Sequence, residues 1–149
     1  MLSLVGLGVQ GIRSITLEGF EVLKKSDIVY LDGYTTYIPE KFVEELKETI
    51  EKDVTVIFER KKIEDEVDKI LDEAVMKNVC LAVLGDPLFA TTHLTLILEC
   101  RKRNISYKVI HNTSIISILM NSLGLHPYKF GKIATIVRKS GTPATTVYF

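Results

Sequence analysis

The sequence predicts an α/β fold: a mainly parallel sheet with helices on both faces. Three observations carry this expectation. Short runs of Val, Leu and Ile alternate with longer stretches whose apolar residues recur at helical spacing. The run Val79 to Leu84 contains six apolar residues without a polar break, the pattern of a strand covered on both sides. The strand-like runs are separated by stretches long enough for helical crossovers, so neighbouring strands are expected to lie parallel.

The elements follow in order. Leu2 to Val5 reads as the first strand and enters Gly6-Leu7-Gly8-Val9-Gln10-Gly11. Ser14 or Thr16 is placed to cap a helix that carries Leu17, Phe20, Val22 and Leu23 and runs to Lys25. Asp27 to Asp32 is the second strand, and Gly33 to Pro39 a loop rich in Tyr and Thr. Pro39 suits a helix start, and Phe42, Val43, Leu46 and Ile50 give that helix an apolar stripe. Val54 to Phe58 is a third strand and Ile63 to Lys77 an amphipathic helix with a solvated acidic face. After the central strand, Gly85-Asp86-Pro87 forms a corner, and Thr91 or Thr92 is expected to cap a helix over 94–103. Ser106 to Ile110 is the fifth strand, Ile115 to Leu123 a helix and Ile133 to Val137 a late strand. The last residues, 138–149, have no clear period.

Composition narrows the function. The chain has 149 residues, 46% of them hydrophobic, enough for one domain with a real core. Lys and Arg total 19, equal to Asp and Glu, and this neutrality argues against nucleic acid or an anionic membrane as partner. Cys80 and Cys100 fall in a predicted strand and helix, and read as buried thiols of a reducing compartment. His93, His111 and His126 have no metal-ligand spacing, so no metal site is expected. The start lacks a basic segment ahead of its apolar run, and no stretch approaches the roughly 20 apolar residues of a membrane span. The expected location is the cytoplasm.

Three strand ends carry chemistry. In a parallel sheet the C-terminal ends of strands one, four and five share one edge, which brings Gly6 to Gly11, Gly85 to Phe89 and His111 to Ile115 together. Glycines there allow close backbone approach, Asp86 supplies a carboxylate, and Ser114 a hydroxyl near a helix start. A small molecule with an amine, ribose hydroxyls and a flat base would find partners on all three loops. The first loop also matches G-x-G-x-x-G after a strand and before a helix, with Asp32 about 20 residues on, the arrangement of an NAD-type dinucleotide site. Against both stand plain turns: a glycine turn that only joins strand to helix, and an Asp86 bonded to its own backbone. His93 reads as packed or capping rather than as a base, and His111 is open between the two roles.

Longer stretches resemble a known family. Met1-Leu2-Ser3-Leu4-Val5-Gly6-Leu7-Gly8, Ser14 to Gly19, Tyr30 to Thr35, Gly85-Asp86-Pro87-Leu88-Phe89-Ala90-Thr91-Thr92-His93, Val109 to Ile115 and Gly124 to Gly131 look like the diphthine synthases. The matches keep the family's order from residue 1 to about 137, and the His-Asn-x-Ser-Ile form is closer to the eukaryotic members. Diphthine synthases are tetrapyrrole-methylase-like enzymes. The resemblance implies an S-adenosylmethionine-dependent methyltransferase acting on a modified histidine of translation elongation factor 2, in diphthamide synthesis, as a homodimer. Eukaryotic members are understood to form a methyl ester as well as to methylate the amine. Carried over by motif, the cofactor residues are Val9, Asp86, Phe89, Ser114 and Ile115. No catalytic base is assigned, because displacement at a sulfonium methyl chiefly needs donor and acceptor held in line.

Two departures stand out. The family's usual Asp is replaced by Ser14, which can still cap the helix, and its Glu after the second strand by Asp32. The family also has a second α/β domain. The expected organisation here is a cofactor-binding domain over 1–137, a divergent tail over 138–149 and no second domain. Two other readings therefore stand beside the first: a non-catalytic remnant or partner-binding module of the same fold, and an NAD-type dinucleotide-binding domain.

Overall fold

Side-chain alternation along the strands decides how the layers form. The computed structural model describes residues 1–58, 67–131 and 133. Among them, β1 (Leu2–Gly6), β2 (Ile28–Asp32), β3 (Thr55–Ile57), β4 (Val79–Val83) and β5 (Tyr107–Ile110) form one parallel sheet in the order β3-β2-β4-β1-β5. On one face Val79, Leu81 and Val83 of β4 pack with Ile70, Leu71 and Ala74 of α3 (Val67–Met76) and Leu96, Ile97 and Cys100 of α4 (Leu94–Lys102). On the other, Cys80 and Ala82 pack with Leu23 of α1 (Leu17–Lys25) and Phe42, Leu46 and Ile50 of α2 (Glu40–Ile50). The unbroken apolar run of β4 thus reflects a strand with a helical layer on each side. The expected class, α/β with helices on both faces, holds.

The chain comprises two compact units, Met1–Ile115 and Ile116–Phe149. The sheet and its flanking helices α1 to α4 lie in the first. Helix α5 (Ile115–Ser122) begins at the boundary. Its end is a Schellman turn: Gly124 has φ +65°, the Leu125 amide reaches the Met120 carbonyl at 3.1 Å, and the Gly124 amide reaches Asn121 at 3.0 Å. Beyond it the rings of His126 and Tyr128 stack with centroids 5.1 Å apart.

Several local expectations change. Thr16 alone caps α1, its hydroxyl accepting from the Gly19 amide at 3.0 Å, while Ser14 is turned to the glycine loop. Leu17, counted in the apolar stripe, is 85% exposed. Neither Thr91 nor Thr92 caps α4; His93 holds the cap position without a side-chain cap bond, and the Thr91 hydroxyl donates to the Pro87 carbonyl at 2.7 Å. The late strand at Ile133 to Val137 is not tested beyond Ile133, which has no regular structure; residues 134–149 and 59–66 lie outside the described residues. Cys80 and Cys100 are free buried thiols on opposite faces of the sheet, and burial pushes the pKa of each upward.

The topology also sets where a ligand can sit. Strands β1 and β4 are neighbours, yet the chain leaves β1 for the α1 face and β4 for the α4 face. Loops that part in this way leave a crevice at the carboxyl ends of the two strands. Because the layers rest on fully buried β4 side chains, Leu81→Ala should lower unfolding free energy by about 2–5 kcal/mol, whereas Leu17→Ala should change it by less than about 0.5 kcal/mol in the same denaturant titration.

Candidate functional site at the carboxyl edge of the sheet

The crevice is closed at its base by main chain. Just past β1 and β4, the Gly8 amide donates to the Gly85 carbonyl at 3.2 Å and the Gly85 amide donates back to Gly8 at 2.8 Å, an isolated antiparallel bridge. Both residues have positive φ, 69° and 79°, a conformation that favours glycine. A β-carbon on Gly6 would lie 2.7 Å from the Gly85 carbonyl oxygen and 2.8 Å from Asn112 Cβ. One on Gly8 would strike Ser14. The third loop is tied in by Asn112, whose Nδ2 donates to the Gly6 carbonyl at 3.0 Å and the Ser14 carbonyl at 2.9 Å. Ser14 Oγ lies 2.8 Å from the Leu7 carbonyl and 2.7 Å from that of Gly11, so the first loop is stapled to itself.

Gly85 is different. The atoms nearest a β-carbon there would be Ser114 Cα and the Thr113 carbonyl at 3.9 Å and Val9 Cγ1 at 4.0 Å. Bare backbone therefore faces a small space bordered by all three loops. Asp86 stands beside it. Its Oδ1 accepts from the Leu88 amide at 2.9 Å and the Phe89 amide at 3.1 Å. Its Oδ2 accepts from His111 Nδ1 at 2.8 Å and the Asn112 amide at 3.2 Å. Burial alone would raise the Asp86 pKa, but the Leu88, His111 and Asn112 donors and the charge of His111 outweigh it and hold the carboxyl below its ordinary range. The expected self-bonded turn is present in Oδ1, and Oδ2 ties the same side chain to the loop after β5.

Beneath this edge lies a buried pair. Asp32 and His93 are both fully buried, with His93 Nε2 3.3 Å from Asp32 Oδ2. His93 Nδ1 donates to the Pro87 carbonyl at 3.0 Å, which turns Nε2 toward the Asp32 carboxylate. Asp32 also accepts from the Tyr34 amide at 2.9 Å, the Thr35 amide at 3.3 Å and the Thr35 hydroxyl. Burial raises its pKa, and the His93, Thr35 and Tyr34 contacts lower it further than burial lifts it. His93 is thus packed, as its position predicted, and joins the end of β2 to the Gly-Asp-Pro corner.

These contacts decide between two readings of the glycine loop. An acid that binds ribose must present its carboxylate to solvent, but Asp32 is buried and its oxygens are engaged. The last glycine of G-x-G-x-x-G serves close helix packing in a dinucleotide fold. Here a β-carbon on Gly11 would meet nothing within 4 Å. The NAD-type reading has lost both supports.

Of the five residues carried over by motif, Val9 and Ser114 border the space at Gly85, and Asp86 lies next to it in the chain. Phe89 joins through the hydrogen bond its amide donates to Asp86 and is 44% exposed; Ile115 opens α5 and is 52% exposed. Asn112 and the Asp32–His93 pair were not singled out from sequence as connectors. A donor-rich Asn after a strand was a visible signal, but its acceptors are 106 and 98 residues away. Among the described residues, no three His, Cys, Asp or Glu side chains come together to hold a metal ion. No helix of the described residues is long and apolar enough to cross a membrane.

Two outcomes follow. Asn112→Ala should cost about 1–3 kcal/mol in denaturant unfolding, because two part-buried carbonyls lose their donor. The second concerns acid. Asp32 has a folded pKa below its unfolded one, so its stabilisation is complete above about pH 4 and is lost as pH falls through the folded value. Asp32→Asn should therefore be about 3–5 kcal/mol less stable at neutral pH and lose stability less steeply below pH 4, as read from denaturant midpoints across pH.

The chain's relatives agree with this architecture. The profile of the tetrapyrrole (corrin/porphyrin) methylases matches residues 1–147. The diphthine synthase of Archaeoglobus fulgidus is 36% identical over 148 residues, covering 99% of this chain and 58% of that protein. The human diphthine methyl ester synthase is 40% identical over 137 residues, covering 92% and 47%. A crystal structure of diphthine synthase superposes with a TM-score of 0.80 at 34% identity, covering 87% of this chain and 51% of that one. The chain thus spans about half the length of these relatives. With a family profile matched across nearly its whole length and a solved relative of the same fold, the chain belongs to the tetrapyrrole (corrin/porphyrin) methylases.

Proposed function

We propose that the three-loop edge holds S-adenosylmethionine and that the chain serves as a methyltransferase of diphthamide biosynthesis. The observation that carries this reading is the joining of the loops after β1, β4 and β5 around Gly85, with the Asp86 carboxylate at the rim. The residues suit the cofactor in kind. Gly85 lets a ligand lie against main chain, and Asp86 offers an anionic acceptor to an ammonium or ribose hydroxyl. Phe89 and Ile115, apolar yet exposed, provide walls, with Val9 and Ser114 beside the glycine.

When bound, the cofactor supplies a sulfonium methyl for in-line displacement. The chain's own part is to bind and orient, so no base is required for the transfer itself. The acceptor is the modified histidine of translation elongation factor 2, in the cytoplasm, and the working form is a homodimer. The names of the relatives, diphthine synthase and diphthine methyl ester synthase, support this substrate, and the family resemblance supports the rest.

Calorimetric titration with S-adenosylhomocysteine tests the site. Saturable binding is expected, with no binding of NAD. Asp86→Ala should weaken it at least about tenfold, as removal of a charged hydrogen-bond partner does. Gly11→Ala should alter it less than about threefold, since a β-carbon there meets nothing and the strain of its φ of +75° falls on the turn before Ile12 rather than on Asp86. A folded chain that binds neither compound would favour the non-catalytic reading instead.

A further inference from the structure

The Asp86 carboxylate is fully subscribed. Two oxygens offer about four acceptor sites, and four donors fill them: the amides of Leu88, Phe89 and Asn112 and the His111 ring. Its side chain is only 12% exposed, so no further face of it is open to a ligand. Three of the donors are main-chain amides that shape the loops after β4 and β5 and cannot leave without undoing those turns. The fourth sits on a side chain that is 66% exposed and can turn about its two side-chain bonds. A carboxylate accepts only, so His111 presents Nδ1–H to it.

We propose that His111 is the exchangeable occupant of the Asp86 acceptor site. This rests on the reading that Asp86 belongs to the cofactor site, and deepens it. With no ligand present, the imidazole keeps the carboxylate paired. An arriving ligand takes its place with an ammonium or hydroxyl donor, and the ring swings toward solvent. The exchange selects ligands by chemistry. A donor restores what His111 gave up, whereas an apolar or acceptor group at that point leaves a largely buried carboxylate short of a partner. His111 is in this sense a specificity-determining residue that competes with the ligand rather than contacting it.

Calorimetry with S-adenosylhomocysteine on wild type, His111→Ala and His111→Asn tests the exchange, with ring-nitrogen NMR of His111 as a second readout. His111→Ala removes the competitor and should bind about fivefold tighter, the size of one net hydrogen bond. His111→Asn carries a side-chain N–H near the place of Nδ1 and should return to wild-type affinity. On saturation of the wild type, the His111 Nδ1 signal should move from its hydrogen-bonded position toward that of a solvated ring. Wild-type binding with equal or weaker affinity in folded His111→Ala, or an unmoved His111 signal at saturation, overturns the exchange and leaves the cofactor site standing. Absence of binding in both proteins overturns the cofactor reading and the exchange with it. Binding by His111→Ala alone supports both.

Discussion

The pair of main-chain hydrogen bonds between Gly8 and Gly85 is the contact on which the sheet edge depends. It forms where the chain leaves β1 and β4 for opposite faces, at the point where the sheet has no further strand pairing to offer. Both partners need positive φ, and the approach of the loops needs Gly6 and Gly8 to lack β-carbons. Once the two loops are joined, Asn112 can reach both Gly6 and Ser14, and Asp86 can collect donors from the third loop. Glycines that match a dinucleotide-site pattern are thus spent largely on the protein's own backbone. Gly85 keeps a space bordered by all three loops, and Gly11 has open space at its α-carbon as well.

Beneath this edge the Asp32–His93 pair adds a second tie, of a different kind. Removing a carboxylate and an imidazole from water is expensive, and their attraction offsets that cost only with good additional partners. Asp32 has them in the Tyr34 and Thr35 amides and the Thr35 hydroxyl, and His93 has one in the Pro87 carbonyl. The pair links the ends of β2 and β4 and fixes the proline of the corner from below. The neighbouring acid, Asp86, ties the loop after β4 to the loop after β5 instead. Two carboxylates at adjacent strand ends so take separate roles, decided by what surrounds them rather than by residue type.

Much of this was legible beforehand. The apolar run of β4, the helical stripes and the turn residues placed the strands and helices of the first unit within a residue or two, apart from the start of the helix expected from Ile63, which lies outside the described residues, because burial on two faces leaves a strong local pattern. That the loops after β1, β4 and β5 share one edge followed from parallel strands, and their meeting from the order β4-β1-β5. The capping residues were less legible: Ser14, Thr91 and Thr92 all have the right chemistry for a cap, but the hydroxyls of Ser14 and Thr91 bond carbonyls elsewhere and His93 takes the cap position ahead of α4. A hydroxyl's choice among carbonyls is made by tertiary distance, which local sequence does not carry.

The sequence by itself determined the class of fold, the edge at which chemistry can occur and, through its resemblance, the family. Tertiary structure decided the assignments within that edge. It buried Asp32 beside His93 and so removed it from ligand contact, turned Ser14 inward and set His111 against Asp86. The physical reason is the range of the forces involved. Periodicity records burial, which acts on every second or third residue. Hydrogen bonds and ion pairs join residues such as Gly6 and Asn112, or Asp32 and His93, whose nearness exists only after the strands have taken their order in the sheet.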